Sequence, residues 1–301
     1  MTRRWILDGI GEAAFEQLAA ELPGSELGSL LLEVMARRAA ARTPADVLAQ
    51  YQRDPFCRPA AIDQRTSLEI DRHLLAAAEG FEAIELSPVA PLAACSSVGP
   101  TAQHRVLSAL RSTEIVADPT NVLALECALR MRGGAAAVDL ATSQRVIRAQ
   151  PVPKLPGFAS HFRLFALASG GVEARDHGFT AAALERHVRT MLGALDRLET
   201  AGYAFGARRI DLLATPERAA VADRIAAALA GVAVVRKPLD HPYYSAGLRY
   251  MLWVTAPDGG EVPLADGGAF DWLRQLTANR RAVYVASGIG AQLVAFRFRA
   301  G

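Results

Sequence analysis

The chain has 301 residues, half of them apolar (51%) and a fifth charged (21%), enough to bury a sizeable core in one large domain or two modest ones. Lys+Arg 33 against Asp+Glu 31 leaves a net charge of +2, which excludes a global electrostatic drive toward nucleic acid. The three cysteines, Cys57, Cys95 and Cys127, are odd in number and widely spaced, so neither a disulfide framework nor a zinc site is expected. Residues 1–10 lack the apolar stretch of a signal peptide, and the longest apolar runs, such as 226–235, are too short to span a bilayer. A cytoplasmic location with no membrane partner is expected.

Residues 1–60 read as a helical segment without a chemical motif. One helix runs over 12–22 and stops at Pro23-Gly24. A second runs over 26–42 with Leu27, Leu30, Leu31, Val34 and Met35 on one face. Thr43-Pro44-Ala45-Asp46 then supplies a cap oxygen, a proline suited to the first helical position and an acid for the positive helix end.

Residues 61–301 read as the core domain. A helix over 62–78 ends at Gly80, and the alternation in 81–86 suits a half-buried strand ended by Pro88 and Pro91. Short strands follow over 105–110 and 114–117. Asp118-Pro119-Thr120 starts a helix over 121–132, and 138–147 is a strand. A Pro-rich stretch over 151–156 precedes a strand over 161–168. The clearest helix spans 180–200, with Leu184, Val188, Met191, Leu192, Leu195 and Leu198 in one stripe, the pattern of core packing. A strand over 210–213, a helix opened by Thr215-Pro216-Glu217 and ending near Gly231, and a strand over 232–235 come next. The segments 248–255 and 261–264 form a hairpin across Pro257-Asp258-Gly259-Gly260. Asp266-Gly267-Gly268-Ala269-Phe270-Asp271 reads as a glycine turn into a helix over 270–276. Segments 283–286 and 293–298 close the chain. Strands joined by hairpins as often as by helices predict an α+β fold with a mainly antiparallel sheet. No Gly-x-Gly-x-x-Gly follows a strand and there is no P-loop.

Few residues carry recognisable chemistry. Asp118 and Thr120 place an acid and a hydroxyl two residues apart at a strand-to-helix junction, suited to capping the helix or to accepting hydrogen bonds from an ammonium group. Arg148, at the end of a strand, is either solvated or a planar clamp for a phosphate or carboxylate. Tyr243 and Tyr244 offer flat apolar area with a hydroxyl, as pocket walls or as core. Gly288 and Gly290 let the backbone approach a ligand or another strand. Lys154 and Lys237 are the only lysines, and Lys237 lies close enough in sequence to the tyrosines to serve an anionic ligand.

Taken in order, these segments resemble the class II aminoacyl-tRNA synthetase core, in particular histidyl-tRNA synthetase and its relative, the regulatory subunit of ATP phosphoribosyltransferase. The likeness runs over about 70–301. Gly80-Phe81-Glu82-Ala83-Ile84-Glu85-Leu86-Ser87-Pro88 is similar to the dimer-forming first motif, and Asp118-Pro119-Thr120 to the segment whose acid and hydroxyl hold the amino group. Arg148-Ala149-Gln150-Pro151 is similar to the second motif, which puts Arg148 at the α-phosphate position, with 161–165 as the return strand. Tyr243-Tyr244-Ser245-Ala246-Gly247 resembles the run lining the side-chain pocket. Asp266 to Asp271, with Gly267 and Gly268, resembles the glycine-rich turn. Gly288-Ile289-Gly290-Ala291-Gln292-Leu293 resembles the third motif.

The departures bear on function. Gln150 stands where the second motif has Glu, and Gln292-Leu293 replaces the Glu-Arg pair whose arginine meets the γ-phosphate. Losing such a charge clamp removes roughly 3–4 kcal/mol of transition-state stabilisation. Ala269 replaces the arginine of the glycine-rich turn, and the sequence ends too soon after the third motif for an anticodon-binding domain. The resemblance therefore implies a protein that binds an amino acid or similar small zwitterion without charging tRNA. It implies a homodimer, a partner enzyme in the manner of a regulatory subunit, and no nucleic acid. The alternative is an ATP-dependent ligase that activates an amino acid for a non-tRNA acceptor, with Arg249 or Arg163 replacing the lost arginine. No cofactor is fixed by the sequence; ATP with Mg is the one the family uses.

Overall fold

A computed structural model describes residues 2–153 and 155–299. The chain begins with four helices, α1 (Thr2–Ile10), α2 (Glu12–Glu16, continued by a π-helical turn over Gln17–Glu21), α3 (Gly24–Ala40) and α4 (Pro44–Arg53). The start of α4 is chemically explicit. The Thr43 side chain accepts from the Asp46 amide at 3.2 Å, and Asp46 accepts from the Thr43 amide at 2.9 Å, a reciprocal capping box. Among the described residues of α2, α3 and α4 no side chain is buried.

The core begins at α5 (Gln64–Ala77), capped by Asp63. There follow β1 (Glu82–Ala83), β2 (Val89–Pro91), β3 (Ser108–Ala109), β4 (Thr113–Ile115), α6 (Pro119–Arg132), β5 (Ala137–Ile147), β6 (His161–Val172) and α7 (Gly178–Glu199). The second half holds β7 (Arg208–Ala214), α8 (Ala219–Ala228), β8 (Ala233–Pro238), β9 (Leu248–Thr255), β10 (Glu261–Phe270), α9 (Trp272–Thr277), β11 (Ala282–Gly290) and α10 (Ala291–Arg297). Eight strands form one sheet in the order β1-β5-β6-β11-β10-β9-β7-β8, and β2, β4 and β3 form a small second sheet. All neighbours in the large sheet are antiparallel except β1–β5 and β7–β8 at the two edges. The fold is α+β, as the frequency of hairpins predicts.

Alternation along the strands gives the sheet two apolar faces. On β11, Val285 and Ile289 join one core with the α7 stripe of Leu184, Val188, Met191, Leu195 and Leu198 and with Ile70 and Leu74 of α5. Tyr284 and Ala286 join the opposite core with Leu123, Ala124 and Cys127 of α6 and Trp272 of α9. Each fully buried leucine in these stripes contributes about 1.5–3 kcal/mol of transfer free energy. Helices therefore cover the sheet from both sides, and the face that carries α6 and α9 is left partly uncovered near the end of β11.

Three expectations need correction. The strand over 81–86 shrinks to Glu82–Ala83, because it has a single parallel neighbour at the sheet edge and Pro88 has no amide to donate. The strand expected over 105–110 is a 3-10 turn at Gln103–Arg105 followed by the two residues of β3. The glycine turn at 266–271 does not exist; Asp266 to Phe270 continue β10, with Asp266 to Ala269 paired on both sides. Gly267 and Gly268 are there for close approach. A Cβ on Gly268 would lie 2.4 Å from the Leu248 carbonyl oxygen and from the Tyr244 ring, and one on Gly267 would lie 2.2 Å from Ser287 Oγ. The segment 293–298 falls mostly in α10.

Candidate functional site

The uncovered face of the sheet holds a cavity of about 670 Å³. Its floor is the end of β11, where Gly288 and Gly290 present no side chain beside Ala286. Leu164 and Phe162 of β6 form one wall and Tyr243, Tyr244 and Asp266 another. Asp118 and Thr120 at the start of α6, Arg148 and Gln150 after β5, and Gly267 complete the set expected from the sequence. Gly268 is the exception. It lies beneath the Tyr244 ring and does not line the cavity.

Asp118 is the hub. It caps α6 by accepting from the Thr120 amide at 3.0 Å, and the Thr120 hydroxyl donates to the same oxygen at 2.8 Å. Its other oxygen faces Arg148 Nη2 at 3.6 Å and the Tyr243 hydroxyl at 3.5 Å. The cap and the ligand-facing carboxylate are thus one group, with one oxygen used by the helix and the other turned to the cavity. Arg148 also donates from Nε to the Ala117 carbonyl at 3.0 Å and stacks over Phe162 at 5.2 Å, which fixes its fork. Burial and the Asp118 charge push the Tyr243 phenol well up, so it stays a neutral donor. The Cys95 thiol, also on the wall, is pushed up to about 12 by burial and by the charges of Asp118 and Glu114, so it is no nucleophile at neutral pH.

The second wall is a network that motif reading did not reveal. Tyr244 donates to Asp266 at 2.8 Å, and Arg249 forks the same carboxylate at 3.1 and 2.6 Å. Arg249 also lies 4.8 Å over the Tyr244 ring. The strand register carries this signal, since Arg249 opposes Gly268, two residues along from Asp266 on β10. Behind it Tyr243, Tyr244, Phe270, Trp272 and Tyr284 form an aromatic block, with Phe270 stacked on Trp272 at 4.2 Å. Arg105, Gln292 and Leu293 also line the cavity. Gln292 is 3% exposed and its Oε1 has no partner among the described residues.

Two expected cations lie elsewhere. Lys237 donates to Asp211 at 2.7 Å on β8 and does not line the cavity; closeness in sequence to Tyr243 did not become closeness in space. Arg163 pairs with Asp71 at 2.9 Å, away from the cavity wall. Lys154 lies outside the described residues.

Comparison with solved structures places this architecture. An ATP phosphoribosyltransferase regulatory subunit/histidyl-tRNA synthetase from Bacillus halodurans superposes with a TM-score of 0.59 at 15% identity, over 78% of this chain and 80% of that one. The core is class II aminoacyl-tRNA-synthetase-like. A histidine–tRNA ligase subunit from Alicyclobacillus acidocaldarius gives a TM-score of 0.57 at 14% identity, over 79% and 95% of the two chains. Apo histidyl-tRNA synthetase of S. aureus gives 0.56 at 12% identity, covering 77% of this chain and 64% of that enzyme. At such identities the class II-like likeness is one of fold. Protein-family models and curated proteins give no match to the sequence. Among the described residues no helix is long and apolar enough to cross a membrane.

Proposed function

We propose that the cavity binds an amino acid or similar small zwitterion, and that the protein is regulatory and does not charge tRNA. The observation that carries this reading is the convergence of Asp118, Thr120, Tyr243 and Arg148 at one end of the cavity. Asp118 Oδ2 and the Thr120 hydroxyl accept from the ammonium, the Arg148 fork takes the carboxylate, and Tyr243 and Tyr244 wall the side chain. Gln150, Gly267, Gly288 and Gly290 bound the ligand. The homodimer built on the first motif and a partner enzyme of the kind a regulatory subunit serves belong to the same proposal.

Mg-ATP, which the fold implies, does not fit the described residues well. Leu293 stands where the resemblance puts the γ-phosphate arginine, and its side chain packs close to Gly290 and Gly157. The two arginines expected to replace it are committed, Arg249 to Asp266 and Arg163 to Asp71, which leaves Arg105 as the one unpaired cation among the described residues of the wall. The ligase reading keeps one observation in its favour, a cavity volume within the range for a drug-sized ligand, about 300–1,000 Å³.

Differential scanning fluorimetry against the twenty amino acids, each with and without Mg-ATP, tests both. A ligand at about a hundred times its dissociation constant stabilises by about 2.7 kcal/mol, a shift of several degrees. A shift with one amino acid alone, abolished by Asp118→Asn, is the expected result. Amino-acid-dependent exchange of pyrophosphate into ATP would overturn the regulatory reading, and a chain that no amino acid stabilises would overturn zwitterion binding.

A further inference from the structure

The ionised groups on the cavity wall do not balance. Among the described residues they are Asp118, Asp266, Arg105 and Arg148. Asp118 is matched by Arg148 at 3.6 Å, and Asp266 by the two-pronged contact of Arg249 at 3.1 and 2.6 Å. Arg105 is left over. It is exposed, and its guanidinium makes no hydrogen bond or ion pair with any described residue.

The turn that carries this leftover charge is held in place. The 3-10 turn at Gln103–Arg105 is joined to the Arg148 segment by the Ala149 amide, which donates to the Arg105 carbonyl at 2.9 Å. Gln103 donates to the buried Glu114 at 2.8 Å and accepts from Ser96 at 2.8 Å. Glu114 in turn accepts from the amides of Ala93 and Cys95, each at 2.9 Å. Its carboxylate is thus filled by neutral donors behind the wall and fixes the turn; it is not part of the cavity lining. An ordered turn carrying an unpaired guanidinium next to the carboxylate clamp is a preorganised receptor for a second anion.

We infer that the ligand carries a second anionic group in addition to its ammonium and carboxylate, and that Arg105 receives it. The inference rests on the zwitterion reading and narrows it to acidic amino acids, with a carboxylate or a phosphate on the side chain. A neutral amino acid cancels only the charges already paired and leaves Arg105 facing an uncharged side chain. A ligand of net charge −1 neutralises the wall.

The test is calorimetric titration of the full chain with matched pairs: aspartate and asparagine, glutamate and glutamine, phosphoserine and serine. The anionic member of at least one pair should bind about ten- to a hundredfold tighter than its neutral partner, the range for hydrogen bonds to charged groups. The advantage should shrink as salt is raised. Arg105→Gln should abolish the preference while leaving affinity for the neutral partner unchanged, and Arg105→Lys should restore part of it. Preference within the carboxylate pairs or within the phosphoserine pair decides which anion is meant. Neutral and anionic members binding equally well would overturn the inference and leave the zwitterion reading standing. Failure of all six to bind, when another amino acid does, would overturn it too, and failure of every amino acid would remove the zwitterion reading itself.

Discussion

Lowering the pH from 7 to 5 should destabilise this protein, with His187 the largest contributor. It is fully buried in α7, where its Nε2 lies 2.9 Å from Ser169 Oγ and its Nδ1 lies 2.8 Å from Ser287 Oγ. The direction of these bonds follows from the far end of the chain of contacts. Asp139, paired with Arg186, can only accept, so Ser169 donates to it at 2.6 Å. Ser169 must then accept from His187 Nε2–H, and Nδ1 accepts from Ser287. A second proton on the ring would force the Ser287 hydroxyl to turn from donor to acceptor, and burial together with the nearby Arg186 charge pulls the His187 pKa down to about 3 from 6.5. The unfolded chain takes up that proton below about pH 6.5, so the unfolded state binds more protons than the folded one and stability falls with pH. At pH 5 the loss is the 1.5 units between 6.5 and 5, about 2 kcal/mol at 1.36 kcal/mol per unit. Urea denaturation at pH 7, 6 and 5 measures it. His187→Gln should be less stable at pH 7, through loss of the ring packed 5.3 Å from Phe81, yet show a flatter profile between pH 7 and 5. Identical pH slopes for the two proteins would refute the assignment of this linkage to His187.

Two further outcomes test the packing. Gly268→Ala sets a Cβ against the Leu248 carbonyl and the Tyr244 ring, and backbone cannot yield as a side chain can. It should cost about 1–3 kcal/mol and weaken ligand binding by displacing Tyr244, and an unchanged denaturation midpoint would show the contact to be relaxed. Thr43→Ala removes the capping box and should cost α4 about 1 kcal/mol. Hydrogen exchange should then quicken over 43–53 with no change in the core, and uniform protection across both regions would show that α4 is coupled to the core.

Much of this architecture is legible where local chemistry and tertiary demand agree. Thr43 with Asp46 and Asp118 with Thr120 cap helices by contacts within three residues, so sequence spacing alone finds them. The α7 stripe is equally local. The sheet was harder. Gly267 and Gly268 read as a turn because paired glycines usually punctuate, yet here they make room for Tyr244, from the loop before β9, and for Ser287 of β11. The turn that presents Arg105 is held by Gln103 on Glu114, eleven residues on, and no periodicity announces such a bond. Of the ten residues singled out for the site, nine line one cavity because they sit on neighbouring strand ends and one helix start. The partners that set their charge, Arg249 and Asp266, required the hairpin register.

The aromatic block behind the cavity also gives the molecule an optical property. Trp272 is 2% exposed and stacked on Phe270, with Tyr284 at 5.6 Å and the cavity-lining Tyr243 at 5.8 Å. Trp5 is 68% exposed on α1, and Trp253 lies under Arg209, opposite Pro263 of β10. The three indoles therefore emit from three distinct surroundings, and Trp272 is the one that packs against Tyr243 of the site. With Trp5 and Trp253 replaced by Phe, the intrinsic fluorescence of Trp272 becomes a label-free reporter of whatever enters the cavity.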